Sequence, residues 1–443
     1  MKKRVISVLL AAGMIAGALA GCGGASGGAS GGAAADSGAA EDLPYSGVTL
    51  TVWAANAEIN DETMAVLDLA TEKLGMEFEI ETNPSGTEGD NIIKTKCASG
   101  ELCDLSNYNS GSVFAALNPS EHFLDISDQK QLIDKIDETF LSVVSDDKGI
   151  YGVPALTSQG GAVLYYKPDY EELGLEVPKT WDEFIANCDA LEAAGKTSMI
   201  GTFGDTWTSQ VLFLGDNYNV ISENPTFAED FTAGTAKFAS TPAAVASFEK
   251  YEDLVGRYNA DYLAAKYEDG YEQLVTGQGT HWIMLTQAIA GIQSNYGEDV
   301  ENIGIFAIPG TDPENVGLTV WEPNAWYINK DTENADACIA FLEFWITEEA
   351  MDMYNEIHGA NGPSCVKGYE LPDSVPSCIR VDMQKYFDEG KTVPALEFLT
   401  TVKGSTCEQI TTEVGSGQTK GAEAAAKYDE DCKKSAVQQG LNW

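Results

Sequence analysis

Histidine is scarce in this chain: there are three in 443 residues, at His122, His281 and His358, far apart, and no two cysteines are spaced as CxxC. A structural zinc site of the usual His/Cys spacing is therefore not expected, and no cofactor is. Basic residues are also few. Lys and Arg total 26 against 69 Asp and Glu, a formal charge of −43. Nucleic-acid binding rests on cations that neutralise phosphates, so that partner class is excluded. Beyond the N-terminus no uninterrupted apolar run approaches the roughly 18 residues a spanning helix needs. The acidic balance does not select a ligand, because a solvated acidic surface can surround a neutral cleft.

What the sequence does have begins at its first residues. Lys2, Lys3 and Arg4 precede an apolar run from Val5 to Ala20, the form of a secretory signal. Leu19-Ala20-Gly21-Cys22 resembles a bacterial lipobox, in which cleavage leaves Cys22 as a diacylated N-terminus. Residues 23 to 40 are Gly, Ala and Ser with one acidic residue, Asp36. Such a composition reads as a tether of about 23 Å root-mean-square length, and the glycines around Gly23 lack the strand–helix context of a phosphate loop. The expected organisation is a signal peptide over 1–21, a lipidated tether over 22–42 and a globular body at the extracytoplasmic face, touching the membrane only through the anchor.

About 400 remaining residues suit two domains. Excluding Cys22, the cysteines are Cys97, Cys103, Cys188, Cys338, Cys365, Cys378, Cys407 and Cys432. Cys188 and Cys338 sit on apolar helix faces, and Cys97/Cys103 and Cys365/Cys378 are the better disulfide candidates. Val48 to Trp53 alternates as a strand. Asn60 or Asp61 caps a helix closed by Gly75, and Met76, Phe78 and Ile80 alternate again. Strand, helix, strand favours a parallel βαβ unit. Thr180 with Glu183 forms a capping box ahead of Trp181, Phe184, Cys188 and Leu191, and Thr241-Pro242 opens another helix. Trp282–Leu285 and Ile303–Phe306 read as buried strands, and 331–346 as an apolar helix. The fold class is α/β.

Several segments together resemble the extracellular solute-binding proteins of ABC importers, the family that contains maltose-binding protein. Ser99-Gly100-Glu101-Leu102-Cys103-Asp104 is similar to its "SGxxPD" turn, with Cys103 in place of proline. Tyr151-Gly152-Val153-Pro154 resembles "YGVP", and Tyr165-Tyr166-Lys167-Pro168-Asp169 resembles "YYNKD" without the asparagine. Leu173-Gly174-Leu175 through Phe184 resembles "LGLxxPxTWDEF", and Gly277-Gln278-Gly279 stands where "GKA" is usual. The resemblance implies a type II periplasmic-binding-protein-like fold of two discontinuous lobes joined by a hinge. Lobe one is expected over 43–154 and 305–347, and lobe two over 155–304 and 348–443. It also implies a monomeric receptor without enzymatic activity. Ligand is held in the crevice beyond the strands' carboxyl ends, and the partners are membrane permease subunits.

Sugars need aromatic platforms and a few aimed polar groups. Trp53 ends the first strand, and Glu58 lies in the loop after it. Tyr108, with Asn107 beside it, occupies the position of a family stacking aromatic. Asp104 is expected to organise its own turn through local backbone bonds. Trp207 and Gln287 are lobe-two candidates, Gln287 standing where a stacking tryptophan is common. Trp321 and Glu322 precede the strand carrying Trp326, which reads as core. Phe398 falls in the region of a further stacking position, and Asn361 is a weaker candidate. Two alternatives stay open. Glu58 and Glu322 suit a cationic solute such as a polyamine or basic peptide, and paired carboxylates admit a surface glycosidase. Glu348/Glu349 do not support the latter, since anions are favoured in a helix's first turn.

Overall fold

The computed structural model describes residues 43–84 and 86–443. The signal, Cys22 and the tether lie outside the described residues. No described helix is long and apolar enough to cross a membrane.

The chain opens as the alternation predicts. Strand β1 (Thr49–Ala55) leads to helix α1 (Asp61–Leu74), whose N-cap Asn60 accepts from the Thr63 amide and whose C-cap Gly75 turns left-handed at φ 85°. At that φ an L-residue is strained, so glycine ends the helix there. Strand β2 (Glu77–Asn83) then pairs parallel to β1, closing the βαβ unit. Helix α2 (Thr87–Ser99) returns the chain to β3 (Leu105–Tyr108), parallel to β1 on its other side. Asp104, just ahead of β3, is a long-range staple rather than a local turn former. Its carboxylate accepts from the Thr51 amide at 2.8 Å and hydroxyl at 2.7 Å, and from the Thr332 hydroxyl. One side chain thus ties β1, β3 and the loop after residue 328.

With β4 (Gly152–Pro154) and β10 (Ala325–Ile328) the first sheet is five-stranded, in the order β2-β1-β3-β10-β4, and β10 runs antiparallel to both its neighbours. Its faces carry one core, including Leu50, Val52, Leu105, Trp326 and Phe341. The second sheet comprises β5 (Gln159–Tyr166), β6 (Met199–Ile200), β7 (His281–Leu285), β8 (Ile303–Ala307), β9 (Leu318–Trp321) and β11 (Thr392–Pro394). It has a separate core that includes Leu164, Phe184, Phe248, Trp282 and Phe306. The capping box at Thr180/Glu183 forms, and Trp181, Phe184, Cys188 and Leu191 are buried beneath it.

Two sheets, each with its own core, are the two lobes that the sequence implies, but the lobe limits differ. Strand β8 pairs antiparallel with β5, and β9 continues along the same edge, so 303–321 belongs to the second sheet. Only from Ala325 does the chain return to the first. The helix Glu348–His358, assigned to lobe two from sequence, stays in lobe one with Ala350 and Tyr354 in its core. The apolar pattern of Ile303–Phe306 announces a buried strand and is silent about its neighbour. The eight cysteines after Cys22 are free thiols. Cys365 and Cys378 cannot pair because they belong to the cores of different lobes. Cys97 faces the first core, while the Cys103 sulfur turns to the Glu81 carboxylate at 3.8 Å.

Candidate functional site

Parallel strands deliver their carboxyl ends to one edge of a sheet, and here β1, β2 and β3 do so side by side. Their last residues, with the turns that follow, line a small cavity of about 80 Å³, room for a few waters or the edge of a ring. Trp53, Glu58, Asn107 and Tyr108 are all in its wall, so four of the sequence candidates meet at one place. Sequence reasoning missed four other polar residues there, Asn83, Asp90, Asn109 and Asn324. Asn83 had a signal, since it ends the alternating strand β2. Asp90 had none, because only the fold carries the first turn of α2 to Tyr108.

The chemistry of this pocket is unusual in what is left unpaired. Trp53 Nε1, Asn83 Oδ1 and Asn107 Oδ1 are buried without a hydrogen-bond partner among the described residues. The three residues are 1, 5 and 4 % exposed. The Asn83 amide is oriented by its nitrogen, which donates to Ala54 O at 2.8 Å, leaving the oxygen free. Such orphans cost about 1–3 kcal/mol each, and Trp326 Nε1 in the same lobe is left in the same state. Tyr108 is not an open platform: it is 5 % exposed, its ring lies 5.9 Å from that of Trp53, and its hydroxyl donates to Asp90 Oδ1 at 2.7 Å. Burial, reinforced by Asp90, pushes the Tyr108 phenol well above its ordinary range. Burial likewise raises Glu58, with His358 nearby acting in the opposite direction.

A second cavity, about 330 Å³, adjoins the first through Asn109 and faces lobe two. Ser110, Ser112 and Val113 form one wall, and Glu397, Phe398 and Lys403 the other. The Ser112 hydroxyl donates across it to Glu397 O at 2.6 Å. Phe398 packs on Gly111, where a side-chain carbon would stand 2.7 Å from the Phe398 ring, so only glycine fits. Trp321 belongs to this side: its indole N–H donates to Glu397 Oε1 at 2.7 Å, and Lys403 binds the other oxygen. Glu397 and Lys403 were not foreseen, although Glu397 adjoins the predicted Phe398. Gln287, two residues after β7, sits beside the Tyr267 hydroxyl, and Trp207 packs on Tyr267 with ring centroids 5.0 Å apart. These two form a separate group on lobe two.

Glu322 is elsewhere. It is buried where the chain passes between the sheets, its Oε2 accepting from the Ser158 hydroxyl at 2.9 Å with the Cys365 thiol at 3.6 Å. Its Oε1 has no partner. Ser158 follows β4, Glu322 follows β9 and Cys365 lies beyond the helix Glu348–His358, so each lies on a different connection between lobes. Burial raises the Glu322 carboxyl to about 7. It is a hinge residue and not a cleft ligand group, which withdraws half of the argument for a cationic solute. Asn361 also belongs to this region, its amide donating to the Thr157 hydroxyl at 3.3 Å. Among the described residues no cluster of side chains suits a metal ion.

Two α/β lobes with facing polar walls and three connections define a two-lobed ligand receptor. The chain belongs to the bacterial extracellular solute-binding proteins, whose family model matches residues 56–352. It is 26 % identical over 332 residues to a multiple sugar-binding protein of Streptococcus mutans, covering 70 % of this chain and 75 % of that one. The apo form of RafE from Streptococcus pneumoniae superposes with a TM-score of 0.72 at 20 % identity, over 88 % of this chain and 99 % of RafE. A family 1 extracellular solute-binding protein from Bifidobacterium longum subsp. infantis gives 0.71 at 18 % identity, over 88 % and 100 %.

Proposed function

We propose that this protein binds a sugar or oligosaccharide between its lobes and delivers it to the permease subunits of an ABC importer. On this reading diacylated Cys22 holds it at the extracytoplasmic face. The observation that carries the proposal is the lobe-one pocket, where Trp53, Tyr108 and several Asn, Asp and Glu side chains from the carboxyl ends of three strands and the turns after them surround one cavity. Saccharide hydroxyls would bond the polar side chains lining this pocket, and Phe398 on the facing wall supplies apolar surface. The sugar-binding name of the Streptococcus mutans relative supports the same class. Ligand contacts to both walls would favour the closed arrangement, and no bond is made or broken.

A thermal-shift panel of raffinose, stachyose, chitooligosaccharides and xylooligosaccharides, with spermidine as control, tests this. A true ligand at 100 times its Kd stabilises by about 2.7 kcal/mol. Stabilisation by spermidine alone would replace the sugar reading with the cationic one, and release of products from any glycan would replace it with the glycosidase.

A further inference from the structure

Glu397 is held from three directions where the lobes meet. Its Oε1 accepts the Trp321 indole N–H at 2.7 Å, its Oε2 binds the Lys403 ammonium, and its backbone oxygen accepts the Ser112 hydroxyl of lobe one at 2.6 Å. The residue also lines the inter-lobe cavity of about 330 Å³. The Trp321 ring that it holds is fixed at the far edge too. Gly161 of β5 lies against that edge, where an added side-chain carbon would stand 2.7 Å from Trp321 Cζ3. Val320 before it and Glu322 after it are buried, whereas Trp321 is partly exposed. It ends β9, the strand from which the chain crosses to lobe one.

A partly exposed aromatic held by packing alone samples several rotamers, and binding on it costs the freedom that is lost. A ring bonded at its N–H and braced against backbone has already given that freedom up. A carboxylate is the strong partner for such an N–H, and Lys403 keeps this one in place. Resting on the sugar reading above, we propose that Glu397 is a positioning residue for the ligand, fixing Trp321 as a preset platform for a saccharide ring on the lobe-two side of the cleft. Because Ser112 reaches the same residue from lobe one, the platform is set where the two lobes touch.

Isothermal titration of raffinose, stachyose, chitotriose and xylotriose into the native protein, Trp321→Ala, Glu397→Ala and the double variant tests this. For a saccharide that binds, each single substitution is expected to weaken binding about tenfold. The double variant should be no weaker than either single one, since both remove the same platform. Glu397→Gln keeps an acceptor for the indole N–H and should restore most of the affinity. In isotope-labelled protein without ligand, the Trp321 indole resonance is identified by its absence from Trp321→Ala. It should move upfield in Glu397→Gln, because a neutral acceptor polarises the N–H less, and this readout stands even where Glu397→Ala does not fold. Native affinity in Trp321→Ala, additive losses in the double variant or an unmoved indole resonance overturns the positioning role while leaving a sugar receptor standing. Binding of none of these saccharides to the native protein overturns the sugar reading and this inference with it.

Discussion

Glu322→Gln is the most informative single substitution, because it keeps the side chain's volume and removes its proton chemistry. The native carboxyl titrates near 7 instead of its ordinary 4.5, owing to burial between the lobes. A group raised in the folded state stabilises below its unfolded value and loses that contribution as pH rises through the folded one. At pH 5 the folded protein holds Glu322 neutral while the unfolded chain has largely ionised it. At pH 8 both are ionised, and the charge sits in a site whose only bonds come from Ser158 and the Cys365 thiol. The loss between these conditions is roughly 2–3 kcal/mol, at 1.36 kcal/mol per pH unit. Urea unfolding followed by tryptophan fluorescence at half-unit steps should show the stability of the native protein, taken relative to the variant, declining by this amount over the range. The variant should lack that slope and gain relative to the native protein at pH 8. Parallel profiles for the two proteins would show that Glu322 is solvated or otherwise paired, and the account of the hinge would fail.

Other perturbations probe the lobes separately. His281 is fully buried, its Nε2 against the Tyr170 hydroxyl at 2.7 Å, and burial lowers it to about 3. Stability should therefore fall as pH drops below 6.5, by roughly 2 kcal/mol at pH 5, a slope absent in His281→Gln; comparison with the variant separates it from the opposing Glu322 effect. Lys250→Met leaves Asp216, whose side chain is 1 % exposed, without its cation, and should cost about 3–5 kcal/mol in chemical denaturation. Tyr108→Ala should cost a similar amount, because that ring is lobe-one core. Tyr108→Phe keeps the packing and isolates the bond to Asp90, so affinity rather than melting should report it.

Local patterns were legible wherever a residue acts on its own neighbourhood. Asn60, Gly75, Thr180 and Glu183 each fix a helix end through bonds spanning three or four residues, and each does so here. Trp326 was readable as core, with 0 % exposure, from the apolar run around it. What stayed hidden were relations across long separations. Asp104 bonds partners 53 and 228 residues away, and β8 finds β5 rather than the first sheet. For the candidate pocket, strand ends pointed to Trp53, Asn107 and Tyr108, which line one cavity because a parallel sheet gathers those ends at one edge. Glu322 misled because a glutamate beside a cleft tryptophan looks the same in sequence whether it faces ligand or hinge.

The place of β10 within the first sheet bears on how the chain is made. It fills the gap between β3 and β4, although more than 160 residues of the other lobe are synthesised before it. Until residue 328 exists, both those neighbours present open edges, the feature that invites wrong pairing between chains. A nascent or truncated chain that stops within 160–320 would carry at most part of the second sheet, always without β11, attached to a split first one. Such fragments should aggregate, and a helper that shields exposed strands would matter most during that interval of synthesis and export.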